Sequence, residues 1–166
     1  MKILITGGAG YIGSVLTEIL LLRGYKVTVL DNFMFRQCSL NHLFSNENLE
    51  VINADIRNES LLKKLIKNFD VIIPLAAIVG APACEKYKFV SHQINYDSNL
   101  QIIKNKTKDQ LILMPTTNSA YGSGDSNNYC NEDTPLNPLS EYAVQKVNLE
   151  NEILQYENVI SFRFAT

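Results

Sequence analysis

The sequence predicts an α/β fold, a doubly wound parallel sheet with helices on both faces, and three features predict it. Short apolar runs recur at residues 2–6, 26–30, 49–53, 70–75, 110–115 and 158–162, without the polar alternation of a half-exposed strand, which suits strands buried on both faces. Segments of helical periodicity separate them, the pattern of repeated strand–helix units. The first run stops at three glycines spaced three apart, Gly7, Gly10 and Gly13.

From Tyr11 the apolar residues Ile12, Val15, Leu16, Ile19 and Leu20 follow helical spacing until Arg23 and Gly24, a cationic last turn and a glycine stop. The first N–H groups of such a helix lack intrahelical partners and carry the positive end of its dipole, so they suit a pyrophosphate. The spacing is G-x-x-G-x-x-G, and a glycine triplet alone also suits a turn that holds no ligand. The second strand changes that balance. It delivers Asp31, followed by Asn32, eighteen residues past Gly13, where a carboxylate can accept hydrogen bonds from an adenosine ribose. A carboxylate there also repels the 2′-phosphate of NADP. The unit therefore reads as a Rossmann-type site for NAD.

A length of 166 residues fits one domain with its own core, and the net charge of −2 is small. No basic stripe suggests nucleic acid, no apolar run is long enough to cross a bilayer, and the first residues lack a cleavage-site pattern. A cytoplasmic location without membrane contact is expected. Cys38, Cys84 and Cys130 are odd in number and widely spaced, which argues for core or surface thiols over a disulfide framework or a zinc site. His42 and His92 stand alone, so no metal is expected.

Further along, a short helix is expected near residues 39–44, and the third strand ends in Ala54, Asp55 and Ile56. That carboxylate and apolar side chain suit an adenine ring; Asp55 equally suits the turn into a helix over 59–67. The fourth strand runs into Leu75, Ala76 and Ala77, small residues that let a flat ligand lie near the backbone, and a loop is expected to continue through Pro82 and Ala83. It lies near the switch point of a doubly wound sheet, where ligands bind. A long helix is expected over 89–104 with Asn95 and Asn99 one turn apart, a pairing that suits a solvated face or a site. The fifth strand ends in Thr116, Thr117, Asn118 and Ser119, a hydroxyl cluster that alone more often marks a turn than a catalytic group. A polar loop over 123–138 is long enough to be functional. Ser140 then caps a helix on which Tyr142 and Lys146 share one face. Such a pair occurs on ordinary surfaces too, but a lysine beside a tyrosine lowers the phenol's pKa and makes it a usable base.

Together these motifs resemble the extended short-chain dehydrogenase/reductases, and within them the NAD-dependent nucleotide-sugar epimerase and dehydratase group. The matching stretches are TGGAGYIG at 6–13, LDN at 30–32, ADIRN at 54–58, LAA at 75–77, TTNSAYG at 116–122 and YAVQK at 142–146, in order over the whole chain. The resemblance implies hydride chemistry on a sugar ring, with Tyr142 as the base, Lys146 tuning it and holding the nicotinamide ribose, and Thr117 bonding the reacting oxygen. It places Gly7, Gly10, Tyr11, Ile12 and Gly13 at the pyrophosphate, Asp31 and Asn32 at the adenosine ribose, and Asp55 and Ile56 at the adenine. Leu75, Ala76, Ala77 and Asn95 complete the expected NAD site.

The chain departs from the family pattern in three places. Asn118 and Ser119 stand where 4,6-dehydratases carry an acid pair, which disfavours dehydration. Pro74 replaces a common histidine, and Ser98-Asn99 replace a usual Gly-Thr. Family members are longer, so residues 1–166 are expected to form the NAD-binding Rossmann domain with its catalytic residues, without the C-terminal substrate lobe and inactive alone. The full-length form is expected to be a homodimer acting on a nucleotide sugar. An epimerase is the leading expectation; a dehydratase or reductase on this scaffold and a non-catalytic NAD-binding module are the alternatives. The module has no need of Thr117, Tyr142 and Lys146 in register.

Overall fold

The computed structural model describes residues 1–123 and 129–165. Six strands form one parallel sheet in the order β3-β2-β1-β4-β5-β6. In chain order the elements are β1 (Lys2–Thr6), α1 (Tyr11–Leu22), β2 (Lys26–Asp31), β3 (Leu49–Asn53), α2 (Glu59–Leu65), β4 (Val71–Pro74), α3 (Ala81–Lys86), α4 (Lys88–His92), α5 (Ser98–Asn105), β5 (Leu111–Thr117), α6 (Glu141–Ile153) and β6 (Val159–Phe164).

Alternate residues of the central strands feed two cores. Ile3, Ile5, Val27, Val29, Val71 and Ile73 pack on one face with Leu21 of α1. Leu4, Leu30, Ile72, Ile112 and Met114 pack on the other with α2, α5 and α6, through Leu62, Ile102, Leu149 and Ile153. Fully burying one such side chain contributes about 1.5–3 kcal/mol. Period-2 side-chain alternation with apolar residues on both faces is what makes the strand runs continuous rather than alternating. Among the described residues no helix is long and apolar enough to cross a membrane.

Four expectations change in detail. The expected loop at Pro82 and Ala83 is helical, because proline at the first turn gives up only an N–H that needs no intrahelical partner. The long helix over 89–104 is broken into α4, a wider π turn over Gln93–Asp97, and α5. The departures from the family pattern hold this break together: Ser98 Oγ donates to the Gln93 carbonyl at 2.8 Å, and Asn99 Nδ2 donates to those of Ile94 and Asn95 at 3.0 and 3.1 Å. The side chains thus occupy carbonyls that the wider turn leaves without regular α-helical partners. The helix near 39–44 is a single 3₁₀ turn, Asn41–Leu43, and the segment after β3 closes with another, Ile66–Asn68. Residues 124–128 of the polar loop lie outside the described residues.

Candidate functional site

The sheet order reverses between β1 and β4, and a cleft of about 450 Å³ opens there at the strands' C-terminal ends. The glycine turn forms its floor. Gly7 takes a φ of +71°, and a Cβ on it would sit 2.5 Å from the Ala76 nitrogen, so the turn can lie against the end of β4 only with glycine there. A Cβ on Gly13 would meet the Gly7 carbonyl oxygen at 2.6 Å, so this glycine closes the helix onto the turn. Gly7 N donates to the Leu30 carbonyl and Leu75 N to the Thr6 carbonyl, both at 2.8 Å, tying β1, β2 and β4 into one rim.

The start of α1 has neither a side-chain cap nor an acidic residue in its first turn. Gly10 N donates to the Gly7 carbonyl at 3.1 Å, which leaves the first N–H groups of the helix, at Tyr11, Ile12 and Gly13, for the cleft that these residues and Gly10 line. Leu75, Ala76 and Ala77 form the opposite wall. These backbone donors, small side chains and one acidic end fit a dinucleotide.

Asp31 lines the cleft and also builds it. It is 8 % exposed; Oδ2 accepts from Ala9 N in the glycine turn at 3.0 Å, and Oδ1 accepts from Phe33 N at 2.8 Å. Each carboxylate oxygen retains a second lone pair for a ligand. Asn32 lines the cleft too, and its Nδ2 donates to Asp55 Oδ2 at 3.2 Å. Asp55 itself is turned to the protein: Arg57 Nε donates to Oδ1 at 2.9 Å and Nη2 to Oδ2 at 2.8 Å. That fork holds the carboxyl well below the usual carboxylate range. Arg57 N also donates to Oδ1, so Asp55 does start the turn into α2, whose cap is Asn58, while Ile56 lines the cleft.

The remaining predicted residues lie beyond the cleft lining, around the ends of β5 and α6. Ser140 Oγ accepts from Ala143 N at 3.2 Å and starts α6, as the sequence predicts. Lys146 is 4 % exposed and its Nζ donates to the Pro115 carbonyl at 3.2 Å, two residues before Thr117. Burial pushes its ammonium down to about 8. Burial pushes the Tyr142 phenol up, with a smaller push in the same direction from Cys84. In this arrangement desolvation is the dominant influence on both groups, and on the phenol it opposes the lowering expected from Lys146. Thr117 is buried, and its Oγ1 accepts from Ser119 N at 3.1 Å, so the hydroxyl cluster does form a turn, at the end of the strand whose Pro115 carbonyl Lys146 bonds.

Asn95 and Asn99 are both fully buried rather than solvated. Asn95 does not line the cleft; Oδ1 accepts from Ile78 N at 2.9 Å and Nδ2 donates to the Ile78 carbonyl at 3.0 Å, and Ile78 is part of the cleft wall. The structure adds cleft residues that the motifs do not mark, chiefly Met34, Phe35 and Gln37 after Asp31, and Ile78, Val79 and Ile94. For all but Ile94, which lies in the π turn, the one sequence signal is position in the loop after a strand's C-terminal end.

The comparisons with known proteins agree with this geometry. A family model described as "NAD dependent epimerase/dehydratase family" matches residues 3–166. The putative UDP-glucose 4-epimerase of Methanocaldococcus jannaschii is 31 % identical over 98 % of this chain and 53 % of its own length. The UDP-N-acetyl-alpha-D-glucosaminuronate decarboxylase of Bacillus cytotoxicus is 33 % identical over 74 % of this chain and 38 % of its own. The crystal structure of UDP-glucuronic acid 4-epimerase from Bacillus cereus, in complex with UDP-glucuronic acid and NAD, superimposes with a TM-score of 0.88 at 29 % identity, over 98 % of this chain and 56 % of that one. The chain thus spans about half the length, or less, of the relatives it matches. With a family model covering all but its first two residues, and a fold that superimposes on a solved epimerase, this chain belongs to the NAD-dependent epimerase/dehydratase family.

Proposed function

We propose that residues 1–166 are the NAD-binding and catalytic domain of a nucleotide-sugar epimerase, with the sugar-nucleotide pocket supplied outside this sequence. The observation that carries the reading is the placement of Tyr142, Lys146 and Thr117 around the end of β5, on the same C-terminal edge of the sheet as the cleft. The glycine turn and the first N–H groups of α1, at Tyr11 to Gly13, hold the pyrophosphate, Asp31 and Asn32 the adenosine ribose, Ile56 the adenine, and Ala76 and Ala77 the flat faces between. NAD, when bound, supplies an acceptor and donor of hydride.

Tyr142 takes the proton from a sugar hydroxyl as that carbon loses its hydride, and returns it when hydride comes back to the opposite face. Thr117 donates its hydroxyl proton to the reacting oxygen, since its own oxygen already accepts from Ser119 N. Lys146 keeps its charge beside the phenol by anchoring on the Pro115 carbonyl and moves toward the phenolate as it forms. Asp55, occupied by Arg57, serves the adenine by fixing the backbone at Ile56 rather than by its carboxylate. The complete enzyme is a cytoplasmic homodimer in this reading.

Calorimetric titration tests the cofactor half: NAD⁺ binds this chain, and NADP⁺ binds at least about tenfold more weakly because Asp31 faces its 2′-phosphate. Equal binding of both sinks the role given to Asp31. In the complete enzyme Tyr142→Phe removes turnover while NAD⁺ affinity stays within a few-fold; surviving activity sinks the base assignment. A decarboxylase is the second reading, favoured by the Bacillus cytotoxicus relative. Product analysis with UDP-hexoses and UDP-hexuronates separates the two, because only decarboxylation releases carbon dioxide.

A further inference from the structure

Gln145 lies on α6 between Tyr142 and Lys146, is 1 % exposed, and every polar atom of its amide has a partner. Oε1 accepts from Asn95 Nδ2 at 2.9 Å; Nε2 donates to Ser91 Oγ at 3.2 Å and to Glu141 Oε1 at 3.3 Å. Asn95 in turn grips both backbone groups of Ile78, at 2.9 and 3.0 Å, and Ile78 forms part of the cleft wall. Two amide side chains therefore join the helix that carries the phenol and ammonium to the wall of the cofactor cleft, across 67 residues of sequence from Ile78 to Gln145.

A side chain that only filled this seam would be apolar, because a buried amide costs stability unless all its groups are paired. Here pairing is complete and directional. Asn95 Nδ2 has one proton for the Ile78 carbonyl and one for Gln145, with Cys84 Sγ a weaker contact at 3.7 Å. Without Gln145 the second proton turns toward that sulfur and the grip on Ile78 loosens.

We propose that Gln145 is a positioning residue: through Asn95 it fixes the register of α6 against Ile78, and so sets the phenol of Tyr142 relative to the cofactor cleft. The positioning of Ile78 stands on the hydrogen bonds alone; its consequence for NAD rests on the proposed function.

The test uses the 166-residue chain with Gln145→Met and, as a milder cut of the same link, Ser91→Ala. Amide hydrogen exchange, read by NMR, compares Ile78 with Val29 on the far side of the sheet, and calorimetry gives NAD⁺ affinity. Expected for Gln145→Met is Ile78 exchange faster by about tenfold with Val29 unchanged, and NAD⁺ affinity weaker by about fivefold. Ser91→Ala gives the same pattern at smaller size and carries the test if Gln145→Met does not fold. Unchanged Ile78 exchange in a folded variant, or equal acceleration at Ile78 and Val29, overturns the positioning role. If the wild-type chain binds no NAD⁺, the cofactor reading fails while the exchange ratio still decides this one.

Discussion

The two halves of the sheet's C-terminal edge are built by different means. Around β1, β2 and β4 the cleft is made chiefly of backbone and small side chains, the glycine turn, the first N–H groups of α1, Ala76 and Ala77, with the Asp31 carboxylate bonded only to backbone N–H groups. Around β5, β6 and α6 the geometry depends on buried polar side chains held by one another. Glu150, 3 % exposed, accepts from Arg163 Nε at 2.9 Å and from Ser161; Arg163 reaches on to the Tyr121 hydroxyl at 2.9 Å and the Glu132 carbonyl at 3.1 Å. This cluster braces the turn that follows Thr117. A backbone-built site tolerates side-chain change outside Asp31 but not an added Cβ at Gly7 or Gly13; a site built from paired side chains fails when one partner is lost.

The largest expected effect tests that second statement. Glu150→Ala leaves the Arg163 guanidinium at a nearly buried position without its carboxylate, which costs about 3–5 kcal/mol of unfolding free energy. Replacing both, Glu150→Leu with Arg163→Met, recovers most of that loss, since the penalty belongs to the unpaired charge. Urea unfolding followed by circular dichroism reads both. A loss below about 1 kcal/mol in the single variant means that this half is not held by its ion pair, and the contrast breaks.

Lys146 sharpens the contrast from the side of function. Its pKa is lowered from 10.5 to about 8 by burial, so between these values the unfolded chain holds a proton that the folded chain has released. Stability therefore rises with pH across that window, and below it the buried ammonium carries a constant penalty. The full shift corresponds to about 3–4 kcal/mol as an order of magnitude. Lys146→Met is expected to be more stable than wild type at pH 7, by about 1–3 kcal/mol, to lose the rise between pH 8 and 10.5, and in the complete enzyme to lose turnover. Wild-type stability that stays flat across this window rules out the shifted lysine.

What was legible in the sequence follows the same division. The glycine turn, Asp31, the small residues after β4 and the cap at Ser140 are read from neighbours a few residues apart, because backbone sites need particular residue types at fixed spacing. The proposed catalytic trio is visible through Tyr142 and Lys146 one helical turn apart and Thr117 at a strand end. What joins these parts was not. Asn95 with Gln145 and Glu150 with Arg163 pair across a seam or a strand, and single polar letters in helices read as solvated faces. The break in the long helix was hidden for a related reason: Ser98 and Asn99 look like surface residues until their side chains are seen on the carbonyls of the π turn. Local propensity also missed the short helix after Gly80, where the proline that suggested a loop lies in its first turn.

The smallest expected effect concerns a tight ion pair at the cofactor end. Arg57 and Asp55 meet at 2.8 Å, but their side chains are 40 % and 31 % exposed, so solvent screens them and the pair contributes at most about 1 kcal/mol. Arg57→Ala should cost no more than that at pH 7. The sign with pH is fixed by the lowered Asp55 carboxyl: its contribution is complete above the ordinary carboxylate pKa of about 4 and is lost as pH falls through the folded value. The stability difference between wild type and Arg57→Ala should thus be constant from pH 7 to about 5 and shrink at lower pH. NAD⁺ affinity in the variant should fall by about threefold or less, because Asp55 then loses only the fork that aligns the backbone at Ile56. A loss near that of Glu150→Ala would mean that this end, too, is held by a side-chain pair, and the difference between the two halves would be one of sequence distance alone.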